Sequence, residues 1–76
     1  MEYQEHISAD PMVMQGQPCV KGTRVTVSNL VRQVSAGRTI QEICDDYPYL
    51  NETQVCAALA FAGELASMES HDLLAS

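Results

Sequence analysis

Thr39-Ile40-Gln41-Glu42-Ile43-Cys44-Asp45-Asp46-Tyr47-Pro48-Tyr49-Leu50-Asn51-Glu52-Thr53-Gln54-Val55 decides the fold, because it holds two helix starts and the stop between them. Thr39 followed by Glu42 is a capping-box pair: the threonine oxygen takes a free N–H of the first turn, and the glutamate answers the N–H of the cap. A helix over 40–46 follows, burying Ile40 and Ile43 with Cys44 beside them, and it stops before Pro48, which cannot continue it. Tyr47-Pro48-Tyr49-Leu50 is the turn, with Pro48 as its structural residue. Asn51 with Gln54 repeats the capping logic and starts a longer helix over 52–68.

Upstream, Gly37 stands where a left-handed residue closes a helix, so a first helix is expected over 29–36. Ser28 is its expected N-cap, and Leu30, Val31 and Val34 form its apolar stripe. From Met12 to Val27 short β-branched runs are broken by Gly16, Pro18 and Gly22, which is strand and turn chemistry. A β-hairpin of two or three short strands is therefore expected over 12–27, turning at Gly22 and Thr23. Asp10-Pro11 is a turn-initiating pair that closes an N-terminal segment, 1–11. The fold class is mostly α with a small N-terminal hairpin: a helix-turn-helix three-helix bundle in one small domain, 12–69, with 70–76 as a tail that frays or extends the last helix.

The chain has 76 residues, 46% hydrophobic and 5% aromatic, which suits one small core and excludes a multidomain enzyme. Cores of this size are marginal, so assembly with a second chain is expected. Net charge is −6, but unevenly placed: residues 1–38 hold every base, Lys21, Arg24, Arg32 and Arg38, while 39–76 carry seven acids and no base. Nucleic acid, if bound, meets the first half, and the acidic half suits a basic protein surface. No apolar run reaches the ~18 residues of a membrane span, and the acidic start is unlike an export signal, so a cytoplasmic protein without membrane contact is expected. Cys19, Cys44 and Cys56 are odd in number and widely spaced, as reduced, buried thiols are. His6 and His71 lie near the two ends with no ligand spacing, and no phosphate loop or nucleophile-base pair is present. No metal, no cofactor and no catalysis are expected.

The third helix is apolar on more than one side. Val55, Ala58, Leu59, Ala62 and Leu65 make a core stripe, yet Cys56, Ala60 and Gly63, with Phe61 beside them, make a second small-residue face. One small core cannot cover both, so that second face is read as an interface with another polypeptide, extended by Leu73 and Leu74 in the tail. Alanine's tolerance of water is the competing explanation. For DNA, the exposed start of the helix offers Asn51, Thr53 and Gln54 to base edges, although Glu52 repels phosphate. Lys21, Arg24, Arg32 and Arg38 would double into a basic stripe in a symmetric dimer; the plainer reading makes them solubilising charges, with Arg24 bonded across its turn.

The succession Asp10-Pro11, Gly16, Pro18, Val20-Lys21-Gly22-Thr23-Arg24-Val25, Gly37, Ile40-Gln41-Glu42-Ile43, Asp46-Tyr47-Pro48-Tyr49-Leu50 and Gln54-Val55 resembles the bacterial family called domain of unknown function 433, over about residues 7–62. The Gly-Thr-Arg turn and the Tyr-Pro-x-Leu turn at this spacing carry the likeness. It implies a β-hairpin followed by a homeodomain-like helical bundle, usually a homodimer, and a VapB-type antitoxin encoded beside a PIN-like ribonuclease toxin. The functional expectation is thus an antitoxin-like protein that neutralises such a toxin, with autoregulatory binding of operator DNA. The alternatives are a dimeric helix-turn-helix regulator without a toxin partner and a non-catalytic protein-interaction adaptor.

Overall fold

Gly22 sits at the third position of a tight turn and takes φ +82°, a left-handed conformation that costs glycine nothing. Thr23 locks this turn: its N–H bonds the Val20 carbonyl at 3.0 Å, its hydroxyl donates to the same carbonyl at 2.8 Å, and that hydroxyl accepts the Val25 N–H at 3.1 Å. The Val25 carbonyl in turn takes the Val20 N–H at 2.9 Å. The structure, a computed structural model, describes residues 5–75, with side chains described through Ser67.

Two short strands, β1 (Ile7–Ser8) and β2 (Cys19–Val20), pair antiparallel with Ile7 opposite Val20 and Ser8 opposite Cys19. A single bridge from Cys19 to Thr26 adds the returning limb of the turn. The expected hairpin over 12–27 is thereby corrected: its first strand lies earlier, inside the segment read as separate. Met12 to Gly16 is instead a compact reversal, begun by the Asp10 carboxylate accepting the Met12 N–H at 2.9 Å. Met14, Gln15 and Gly16 all take positive φ there. Neither Met14 nor Gln15 favours that region, at a cost of about 1–2 kcal/mol each, so no local signal announces it.

Helix α1 (Val27–Ser35) starts two residues before the sequence reading placed it. Thr26, and not Ser28, is the N-cap, because its backbone is extended and its hydroxyl accepts the Asn29 N–H at 3.1 Å. At the other end Gly37 takes φ +93°, and the Gly37 and Arg38 N–H groups return to the Val34 and Gln33 carbonyls, the paired bonds of a Schellman closure. Helix α2 (Ile40–Asp46) has the expected bounds and both capping-box bonds, Glu42 N–H to Thr39 Oγ1 at 3.1 Å and Thr39 N–H to Glu42 Oε1 at 2.9 Å. The Leu50 N–H closes the Pro48 turn on the Tyr47 carbonyl at 2.9 Å. Helix α3 (Glu52–Ala75) then runs for 24 residues, past the expected end at 68 and through the segment read as a tail. Its cap is reciprocal, Gln54 N–H to Asn51 Oδ1 at 2.8 Å and Asn51 N–H to Gln54 Oε1 at 2.9 Å.

The core lies where α1, α2 and the start of α3 meet β2, around Val20, Leu30, Ile43, Leu50, Val55 and Ala58. Tyr47 ties α1 to the turn: its hydroxyl accepts from Asn29 Nδ2 at 3.2 Å, while Asn29 Oδ1 accepts from Gln33 Nε2 at 3.3 Å.

The hydrogen bonds from Thr39, its backbone N–H first, hold the Glu42 carboxyl below its ordinary value. The depressed native pKa makes this contribution complete above the unfolded value of about 4.3 and lost as pH falls through the native one. Glu42→Gln keeps an acceptor for the cap and removes the titration. Urea midpoints measured from about pH 6 to about pH 2 should therefore fall less steeply on the acid side for the variant.

Candidate functional site

Two concave surfaces flank the bundle. The first is an open cleft of about 930 Å³ between the Gly22 turn and the turn that precedes α3. The tight turn throws Lys21 and Arg24 outward, both exposed, and they line this cleft together with Gln54 and Tyr49. Tyr49 is 61% exposed and stands edge-on to Tyr47, ring centroids 6.0 Å apart, so its ring is held in place yet open to a ligand. Asp10 on the rim is the opposing charge. Cys19 also lines the cleft, but burial pushes its thiol up and its Sγ donates to the Gln17 carbonyl at 3.3 Å. It is a thiol at neutral pH, not a thiolate nucleophile. Cys44 is raised too, mainly by burial.

The second surface is a smaller groove of about 390 Å³ between α1 and α3, walled by Val27, Val31, Phe61, Ala62 and Leu65, with Arg32 at its edge. It is nearly all apolar.

The expected nucleic-acid residues separate into three places. Lys21, Arg24 and Gln54 come together in the cleft, and Asn51 and Thr53 are exposed on the adjoining cap and first turn of α3. Arg32 lies on the other surface. Arg38 is occupied: its guanidinium pairs with Asp46 at 2.6 Å and donates to the Glu42 carbonyl at 3.2 Å. That pairing answers the acid at the C-terminal end of α2, where a negative charge alone opposes the helix dipole. The hydrogen bond with Asp46 holds the Arg38 pKa above its ordinary value.

The expected interface residues separate as well. Ala60 and Gly63 are exposed and Cys56 is half-buried, whereas Phe61 turns onto the core and helps wall the groove. Leu65, read as core, is 45% exposed. Leu73 and Leu74 fall in the last turn of α3, outside the residues whose side chains are described. Sequence reasoning passed over Tyr49 because it sits in a turn, and over the Val31 and Leu65 pairing because each was assigned to a core stripe. Among the described residues no group of three or more His, Cys, Asp or Glu is placed to hold a metal ion, and no helix is long and apolar enough to cross a membrane.

A two-stranded ribbon leading into three helices, with a turn-linked α2 and α3, defines a small helix-turn-helix protein with binding surfaces on both sides of the bundle. The chain belongs to the DUF433 family, described as "Protein of unknown function", whose profile matches residues 7–62. It is 29% identical over 58 residues to the "Uncharacterized protein y4eO" of Sinorhizobium fredii (strain NBRC 101917 / NGR234), a match over 76% of this chain. The chain spans only 26% of that relative's length. Its structure is similar to the crystal structure of a DUF433 member from Anabaena variabilis ATCC 29413, with a TM-score of 0.79 at 25% identity over 93% of this chain and 70% of the other.

Proposed function

We propose that this protein is an antitoxin-like, non-catalytic partner that binds and neutralises a PIN-like ribonuclease toxin through α3. The carrying observation is α3 itself: about 36 Å long at 1.5 Å per residue, it gives its first turns to the core and leaves Leu65 exposed beside an apolar groove. Every charged residue on it, Glu52, Glu64, Glu69 and Asp72, is acidic. A helix that is apolar on one side and acidic elsewhere suits the basic surface of an RNA-cleaving protein. Co-expression with a neighbouring-gene PIN-like ribonuclease tests this. A stoichiometric complex with suppressed RNA cleavage supports the reading; full cleavage activity at equimolar protein overturns it.

A second reading, operator binding by a dimer, draws on the convergence of Lys21, Arg24 and Gln54 in the cleft beside the start of α3. Two cations per protomer reach phosphate while Tyr49 and Gln54 meet the groove edge. Lys21→Ala with Arg24→Ala should lower the salt dependence of DNA binding by about 2 counterions per protomer, whereas Arg38→Ala should leave it unchanged because Arg38 serves Asp46. Fluorescence anisotropy across a salt series reads both. An unchanged slope in the double variant removes the cleft from DNA contact.

A further inference from the structure

We infer that the groove between α1 and α3 docks an amphipathic helix of a partner protein, apolar on the inserted face and basic on its flanks. The inference rests on the partner-binding reading of α3 and names the chemistry of what is bound.

The groove is built to keep its shape. Val27 is buried in the core, and Val31, Phe61 and Ala62 are half-buried and packed against it, so the walls stay in place without a ligand. Leu65 stands above them with nearly half its surface in water. A space of about 390 Å³ lies within the range of a preformed pocket and accepts a few aliphatic side chains from one face of a helix.

Charge selects the occupant. The α3 side of the groove belongs to a segment with seven acids and no base from residue 39 onward. Arg32 on the α1 side is exposed, and the ion pair present among the described residues, Arg38 with Asp46, does not involve it. A second copy of this chain would bring another −6 and another all-acidic α3 against the first. A helix with Lys or Arg along its α3 side and a carboxylate toward Arg32 meets attraction on both edges.

The test uses the full chain labelled with nitrogen-15 and an amphipathic leucine-lysine peptide of about 14 residues, roughly four helical turns. Amide shifts should concentrate at Val31, Phe61 and Leu65, and the leucine-glutamate counterpart should not bind. Leu65→Glu separates docking from plain charge attraction. Docking predicts about tenfold weaker binding, because a carboxylate enters the apolar groove. Attraction alone predicts tighter binding, because the surface becomes more acidic. Leu65 is exposed, so this variant should keep the wild-type circular dichroism, and Val31→Gln offers an uncharged second probe of the opposite wall. Shifts spread over the acidic surface, or tightening with Leu65→Glu, overturn the inference. Concentration-dependent shifts of the groove without peptide overturn it in favour of a second copy. Peptide docking without toxin neutralisation leaves the groove and removes the antitoxin reading; neutralisation indifferent to Leu65→Glu does the reverse.

Discussion

Leu30→Ala is expected to leave most of the chain unfolded at 25 °C. Leu30 is wholly buried at the centre of the core, on the α1 face that meets α3, with Val20, Ile43 and Val55 in the same cluster. Truncating a buried leucine costs about 2–5 kcal/mol, the transfer of the lost methyl groups plus the cavity they leave. A core in a chain below about 80 residues supplies about 3–5 kcal/mol in all. The loss is therefore comparable with the whole margin, and no second core exists to absorb it. Val34→Ala on the same helix is the control, since Val34 is 38% exposed and its loss should fall within about 0.5 kcal/mol. Urea unfolding followed by circular dichroism at 222 nm, an amide wavelength that reports helix content, compares the two. Equal midpoints would mean that Leu30 does not organise the core as its burial says.

The helix signals that were legible are those written in a few neighbouring residues. The Thr39 to Glu42 box, the Asn51 to Gln54 cap and the Gly37 closure are each completed within one turn, so residue types at fixed spacing suffice to find them. The ribbon failed for the opposite reason. Ile7-Ser8 is too short to show alternation, and it is held by β2 across the intervening loop, a pairing recorded in contacts and not in local pattern. The Val25-Thr26-Val27 run reads as strand by β-branching, but it splits: Val25 pairs with Val20, Thr26 caps, and Val27 enters α1. Tertiary context overrides propensity there.

The candidate surfaces were legible in parts and not as wholes. Lys21 and Arg24 flank one turn, so their common cleft follows from sequence neighbourhood. Gln54 reaches that cleft only because the Pro48 turn folds α3 back beside the ribbon. Arg38 looked equivalent to the other bases until its partner, eight positions on, was in place; Arg38 and Asp46 are joined across the length of α2. The groove needs the crossing of α1 on α3, which no periodicity within either helix specifies.

Ala58→Leu and Ala60→Leu, two positions apart on α3, are expected to differ in kind. From sequence both are small residues on a helix with too many of them, and both would be placed by period alone. Ala58 is fully buried among Leu30, Ile43, Leu50 and Val55, where α3 lies closest to the core, while Ala60 is exposed. Leucine at 58 must displace neighbours that already fill the space, costing about 1–3 kcal/mol, a large share of this domain's stability. Leucine at 60 extends into solvent and should stay within about 0.5 kcal/mol of the wild type in a monomer. Thermal melts at several protein concentrations extend the comparison to assembly. If Ala60 forms part of a close helix-helix contact between two chains, Ala60→Leu lowers the melting temperature most at high concentration, where the assembly holds the fold. A melting temperature unchanged by Ala60→Leu at every concentration places that face in solvent and leaves the α1–α3 groove as the apolar surface on which a partner acts.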